Sequence, residues 1–498
     1  MALTKRFSLI AGLVSLASIA SGTTVSQSPL TTCKQIESAI SSASAVFYPG
    51  SSEYATDIFH AYSSSSQNAT CSVQPGTAQD AANILKIVGA ARTPYAIKSG
   101  GHATNPGWSS TTGVQISTSR FNTATYDPNT GLARVGTGQQ SENAYSQLEP
   151  FNVSIAAGRV SGVGVGGFTL GGGYSWVTNQ VGVSCDTVHQ FEVALPTGKV
   201  VNATNTTNSD LFFGLKGGGN NFGLVTFITY EAVAQPAVWG GLVVITGAGN
   251  IAAVSQAISD FQDHNTDPKA AVGVTYGFDP AQGGLFVSLF FYYHGPSPPA
   301  GIFDELLAVP SVSSSLSATS LTRLVSAFDG PTIAPRALWR SISIKNYTVP
   351  VLNTIADQVN THGPAAYNNS AVAFTLAVEP LLTSIFSHQV NGPAAYFHLA
   401  GRFLAPSVVG FSWTDPTQDT FFFNTLKTID ANVRNFAASV AGGSQPVEPP
   451  AGTLYPNYAS YDIDTTLLFG PNRPILRSIQ EKYDPKGVTN LTSGWKFF

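Results

Sequence analysis

The first residues in this chain able to do chemistry form a glycine turn ending on a histidine, Lys98-Ser99-Gly100-Gly101-His102-Ala103. Two more loops share that density of glycine. One is Gly162-Val163-Gly164-Val165-Gly166-Gly167, with Gly171-Gly172-Gly173 close behind. The other, Gly217-Gly218-Gly219-Asn220-Asn221-Phe222-Gly223, runs straight into an apolar stretch containing Val225. Glycine lets the backbone approach a ligand closely and turn its N–H groups onto an anion such as a pyrophosphate. Three such loops predict a dinucleotide cofactor. His102 alone is ambiguous, because a lone histidine beside a turn more often hydrogen-bonds than reacts.

One pattern competes. Gly162, Gly164 and Gly167 satisfy G-x-G-x-x-G, and Asp186 follows at about the distance of a nicotinamide fingerprint's ribose-binding carboxylate. That fingerprint needs a helix opening inside the motif. Phe168-Thr169-Leu170-Gly171-Gly172-Gly173 makes a poor helix start, since each interior glycine costs roughly 1 kcal/mol. The expectation is therefore no helix there and no Rossmann site.

Elsewhere, Glu379 stands in Ala377-Val378-Glu379-Pro380, an apolar setting where a carboxylate is either exposed or used. The stripe Phe290-Phe291-Tyr292-Tyr293 reads as core before it reads as a stacking surface for an aromatic substrate. His60, His189, His264, His294, His362, His388 and His398 have no ligand spacing with cysteines or carboxylates, so no metal site is expected.

The elements that must position these residues are those of an α+β protein. Thr77 is placed to cap a helix with Asp80 three residues on, and Ala81, Ile84, Leu85 and Val88 share one face. Arg92-Thr93-Pro94 ends it, and the strand Tyr95-Ala96-Ile97-Lys98 delivers the first glycine turn. Strands follow at 113–117 and 132–136, a hairpin at 191–201 around Pro196-Thr197-Gly198, and a strand at 224–230. Between about 235 and 450 the glycine punctuation thins, with a helix at 252–264 and a strand at 284–293, as in a second α+β unit. The Pro- and Gly-rich stretch 442–456 suits a crossing back to the first.

With 498 residues the chain has room for two or three domains. A net charge of -4 with only 10% charged residues gives no basic field for a polyanion, which excludes nucleic acid as the expected partner. Lys5 and Arg6, the apolar run Phe7 to Ala20 and the small residues Ala20-Ser21-Gly22 read as a signal peptide over 1–22, too short in its apolar part for a membrane anchor. The expected location is extracellular, with no membrane association after cleavage. Sequons at Asn68, Asn152, Asn202, Asn205, Asn346, Asn368 and Asn490 fit that route, as does a Cys33–Cys71 disulfide that leaves Cys185 packed and free.

From about residue 45 onward the order of these motifs resembles the berberine-bridge-enzyme-like branch of the vanillyl-alcohol oxidase superfamily, which has a PCMH-type FAD-binding fold. Ile97 to His102 followed by Asn105-Pro106-Gly107 is similar to the loop whose histidine bonds the flavin 8α carbon. Gly158 to Gly173 resembles the second flavin loop, and Asp210-Leu211-Phe212 with Gly217 to Thr226 the third. Tyr455-Pro456-Asn457-Tyr458 resembles the Y-x-N-Y signature that enters the active site from the C-terminal part.

The resemblance implies a two-part FAD domain over 45–232 and 455–498, with an inserted α+β substrate domain over 233–454 built on an antiparallel sheet. It implies Lys98, Ser99, Gly100, Gly101, His102, Ala103, Val160, Gly162, Val163, Gly164, Gly166, Gly167, Gly171, Gly172, Val225 and Asn457 around the cofactor, and Tyr455, Tyr458 and Glu379 as catalytic groups. Many relatives attach the flavin a second time through a cysteine where this chain has Val160, so a single attachment and a smaller, more enclosed pocket are expected. Val163 stands where a residue in relatives controls access of dioxygen.

The activity implied is hydride transfer from a substrate C–H to flavin N5, with reoxidation by O2 to hydrogen peroxide, on a small molecule of secondary metabolism. Tyr455 is the expected base, and a phenol near pKa ~10 needs a neighbour to lower it. The alternatives are a carbohydrate or alcohol oxidase, a dehydrogenase with another electron acceptor, and a flavin-binding protein without turnover. Neither the substrate nor the oligomeric state can be read from the residues.

Overall fold

Thr77 caps the helix Ala78–Ala91 as its position predicts: its hydroxyl accepts the Asp80 N–H at 3.0 Å, and the helix stops where Arg92 turns left-handed (φ 51°). The computed structural model describes residues 27–328, 335–389, 391–399, 405–440 and 450–497. The leader expected over 1–22 and the first part of the 442–456 crossing lie outside the described residues. Past the helix, Tyr95–Lys98 pairs in parallel with Val114–Ser117, which pairs in parallel with Cys71–Gln74. Ala45–Phe47 closes this sheet's edge antiparallel.

An antiparallel sheet of Ala124–Asp127, Leu132–Gly136, Leu224–Glu231, Val188–Ala194 and Val200–Ala203 lies beyond it. The capped helix buries Ile84, Leu85 and Val88 in a core with Val73, Tyr95, Ile116 and Leu224, joining the two sheets. The Cys33–Cys71 disulfide fastens the helix Pro29–Ala39 to the first sheet, and Cys185 is free and buried.

Six long strands form a third, antiparallel sheet in the spatial order Val238–Thr246, Gly284–Tyr293, Ala270–Asp279, Ala371–Val378, Ala405–Trp413, Arg336–Ile344, with two short strands on its first edge. Period-two alternation gives this sheet two different faces. Val287, Leu289, Phe291 and Tyr293 point into a core with the helices Ala248–His264, Val349–Asn368 and Asp419–Val440. Tyr292, between them, belongs instead to the core shared with the first half of the molecule, and Phe290 packs beside it. The stripe is thus core on one side and cavity wall on the other.

The last residues return to the first half: Trp495 packs edge-on against Trp108 with ring centroids 4.8 Å apart, and Phe497 meets Phe222 at 5.9 Å.

One expectation is corrected. A helix, Val165–Leu170, does open inside the G-x-G-x-x-G pattern. Buried anchors outweigh the weak propensity of its glycines: Val165 is fully buried with its N–H on the Gln139 carbonyl, and the Thr169 hydroxyl lies 2.8 Å from that of Tyr230. The helix is only six residues long, and Asp186 is fully buried against His398 Nε2 at 2.9 Å, so no carboxylate is presented to a ribose.

Candidate active site

Between the two halves lies a cavity of about 490 Å3. One wall is made of backbone. The Gly100 and Gly164 chains cross so closely that a methyl group on either would overlap the other's main chain, and Gly101 sits at φ 75°. Hydrogen bonds brace these loops from behind: Ser99 Oγ donates to the Thr137 carbonyl (2.5 Å), Thr137 Oγ1 to the Val225 carbonyl (2.7 Å), and Gly162 N–H to the Glu142 carboxylate (3.1 Å).

His102 projects from this wall into a box of aromatic rings, 5.7 Å from Tyr62 and 5.7 Å from Trp339 by ring centroids. Burial holds the imidazole at a pKa of about 4, so the ring is neutral, and its Nδ1 is buried without a hydrogen-bond partner among the described residues. A neutral imidazole with an unspent nitrogen is the state a nucleophile requires.

Of the residues expected around the cofactor, Ser99, Gly100, Gly101, His102, Ala103, Val160, Val163, Gly164, Gly166, Gly167, Gly171, Val225 and Asn457 line this cavity, as do Glu379, Tyr455 and Tyr458. Three do not line it. Lys98 is buried and donates to the Thr56 carbonyl at 3.1 Å. Gly162 supports the loop from Glu142, and Gly172 packs against the ring of Tyr396.

The opposite wall is made of side chains, and its polar centre is a cluster of three residues far apart in sequence. Arg159 binds Glu379 with two parallel hydrogen bonds, Nη1 to Oε2 at 3.0 Å and Nη2 to Oε1 at 2.7 Å. Arg159 Nη2 also donates to the Tyr458 hydroxyl at 2.7 Å, which itself donates to Glu379 Oε1 at 2.6 Å. The side chains of the pair are only 18% and 5% exposed, so loss of either partner would strand a buried charge. Burial works against the Arg159 charge, but Glu379 and Tyr458 outweigh it and hold the guanidinium above its ordinary value.

Tyr455 takes a different part. Its hydroxyl accepts from Asn457 Nδ2 at 2.9 Å, and Asn457 donates also to the Phe168 carbonyl at 3.0 Å. The ring meets Tyr174 edge-on at 4.7 Å. Burial pushes the Tyr455 phenol up, against the opposing pull of Asn457 and Arg159. Burial likewise carries Tyr458 well above its ordinary value, with Arg159 pulling down and Glu379 pushing up.

Arg159 and Trp339 were not anticipated as site residues. A usable signal existed for the first: Arg159 is a lone cation in the apolar run Ile155 to Gly167, as Glu379 is a lone anion in its own, and two isolated opposite charges in a chain with 10% charged residues invite pairing.

The glycine wall, the orphaned His102 nitrogen and a cavity of about 490 Å3 lined by all three glycine loops suit an FAD, which Ser99 to Ala103, Val160 to Gly171 and Val225 would hold. Residues 69–204 match a family described as FAD binding domain. The FAD-dependent monooxygenase drtC of Aspergillus calidoustus is 30% identical over 468 residues, covering 91% of this chain and 87% of that protein. In fold the chain is similar to a chitooligosaccharide oxidase (TM-score 0.74, 21% identity, 94% and 100% of the two chains). It is similar also to the 6-hydroxy-D-nicotine oxidase of Arthrobacter nicotinovorans (TM-score 0.71, 18% identity, 90% and 96%).

Proposed function

The chain belongs to the FAD-dependent oxidoreductases, and from that premise we propose that it is a secreted oxidase of the berberine-bridge-enzyme-like kind, carrying FAD on His102 alone and acting on a small molecule of secondary metabolism. The observation that carries the reading is that one cavity is lined both by the His102 glycine wall and by the Arg159–Glu379–Tyr458 cluster. When bound there, FAD would supply a two-electron acceptor for a hydride from the substrate carbon, with dioxygen as the terminal oxidant and hydrogen peroxide as the product.

The protein's own part is to hold that carbon and move a proton. Residues 45–232 with 455–498 grip the cofactor, and 233–454 present the substrate. Tyr458 is the better-placed base: its hydroxyl touches a carboxylate, so a proton taken from the substrate at Tyr458 Oη is matched by one passed to Glu379. Tyr455, whose oxygen receives a donor from Asn457, orients rather than relays. Residues of both halves line the chamber, and the low exposure of Arg159 and Glu379 strengthens the guanidinium's pull on the reacting oxygen.

Export is supported by the disulfide and by the exposure of all seven sequon asparagines. The test is acid denaturation of the flavin-loaded protein, followed by digestion. Yellow colour should stay with a single peptide containing His102. A wild-type protein that releases all its flavin on precipitation overturns the covalent part of the reading, and a secreted product that retains residues 1–22 overturns the leader.

A further inference from the structure

Resting on that reading, the side-chain wall carries the substrate class further. We infer that the substrate is a flat, largely apolar molecule bearing an acidic hydroxyl on an sp2 carbon, a phenol or enol, whose oxygen is held by Arg159 beside Tyr458.

Three observations converge. The first is what the sheet offers to the cavity: Gly273, Val274, Phe290, Trp339, Ala377 and Val378 are apolar, and beside Glu379 only Thr275 brings a polar side chain. Both carboxylate oxygens of Glu379 are already spent on Arg159 and Tyr458. A sugar ring would bury several hydroxyls against carbon, each without a partner. A flat hydrocarbon surface meets no such penalty.

The second is the shape at Gly273. A methyl group there would come within 3.7 Å of Phe290 and 3.9 Å of the Trp176 indole. The indole plane is fixed, because Trp176 stacks on Tyr292 (5.4 Å, 15°) and its Nε1–H donates to the Arg159 carbonyl at 3.2 Å. Both are ordinary contact distances, to the Phe290 Cβ and the indole edge, so glycine here leaves room of about one methyl group beside a fixed indole and adds only apolar surface to the wall.

The third is the state of Arg159. Its Nη groups bind Glu379 and Tyr458, while its Nε–H has no hydrogen-bond partner among the described residues and is not fully buried, and the residue lines the cavity. The pair with Glu379 is neutral overall, and the carboxylate repels a ligand that arrives as an anion. A phenol or enol enters uncharged, meets an unspent donor on a cation, and can shed its proton into the Tyr458–Glu379 relay once seated. An aliphatic alcohol gains less, because it gives up its proton far less readily and so does not present an oxyanion to the cation.

The test is anaerobic titration of the flavin-loaded wild-type protein, reading the perturbation of the flavin's visible absorption. The probes are 2-naphthol, 2-methoxynaphthalene, 2-naphthoate and cellobiose. We expect 2-naphthol to bind at least about tenfold tighter than its methyl ether and than 2-naphthoate, with no saturable response to cellobiose. Arg159→Lys keeps a positive charge but removes Nε–H, and should shrink the naphthol-to-ether ratio to within about threefold at unchanged flavin content.

The inference is overturned by cellobiose binding tighter than 2-naphthol, by an unchanged ratio in Arg159→Lys, or by no response to any naphthalene probe. It is overturned also if Arg159→Lys loses flavin, which would assign the free donor to the cofactor. Each of these leaves the oxidase reading standing. A wild-type protein that binds no flavin sinks that reading instead.

Discussion

The two walls of the cavity are built on opposite principles. On the His102 side the ligand meets main chain: Gly100 and Gly164 cross with no room for a side chain, and the hydrogen bonds that hold the loops come from behind, out of Ser99, Thr137 and Glu142. On the sheet side it meets side chains set on regular strands, Phe290 and Trp339 among them, with one charged cluster at the end. A wall of backbone has little to vary, whereas a wall of side chains can change residue by residue while the sheet beneath it stays intact.

The sharpest way to break the comparison is to put a side chain on the backbone wall. Gly164→Ala drives a methyl group into the Gly100 main chain and should cost at least about 4 kcal/mol, the range of severe overpacking and backbone strain. The expected result is little or no folded, flavin-loaded protein on expression, and a yellow variant with normal melting would refute the crossing.

A smaller effect on the same side is reached by pH. His60, whose segment braces Gly101 through Ala61 N–H to the Gly101 carbonyl at 3.0 Å, is held at a pKa of about 4 by burial, against 6.5 when unfolded. The folded state therefore resists the proton that the unfolded chain accepts. This contribution is complete above pH 6.5 and lost as pH falls from 6.5 toward 4, by about 3 kcal/mol at most. Melting curves should show that decline, and His60→Gln should make it shallower, with His102 supplying a similar share.

On the side-chain wall, Tyr458→Phe removes one hydroxyl and almost no volume. Flavin content and melting should stay near wild type while substrate-driven flavin reduction slows about 100-fold. A change under threefold, with Tyr455→Phe giving the large one, would reverse the assignment of the two tyrosines.

The smallest effect sharpens the comparison at its exception, Val163, a side chain standing among the glycines and lining the cavity. If it controls the approach of dioxygen, Val163→Ile should slow reoxidation about tenfold, roughly 1.4 kcal/mol of barrier, and leave reduction unchanged. Stopped-flow mixing of reduced enzyme with oxygen measures it. Equal rates would remove Val163 from that role, and slow reoxidation in both proteins would favour a dehydrogenase.

The same contrast explains what could be read from the residues. Glycine spacing is dictated by close approach, so the loops at 98–103, 162–173 and 217–223 announce themselves, as do the cap at Thr77 and the hairpin at 191–201. The expected antiparallel sheet is also present in the second half. What stayed hidden was partnership across hundreds of residues. Nothing local ties Arg159 to Glu379, 220 positions away, or to Tyr458, 299 away. The helix Val165–Leu170 was missed for a related reason: its support comes from Gln139 and Tyr230, while its own glycines argue against it.

The return of the chain's end to its first half has a consequence for synthesis. Trp108 and Phe222 wait for Trp495 and Phe497, so this packing around the first half is finished only after residue 497 has been made. The large sheet, complete at Trp413, can form earlier. A nascent chain must therefore carry an unsealed first half through most of its translation. A stop codon just before Trp495 would spare nearly every group discussed above and still leave Trp108 and Phe222 without the rings that cover them.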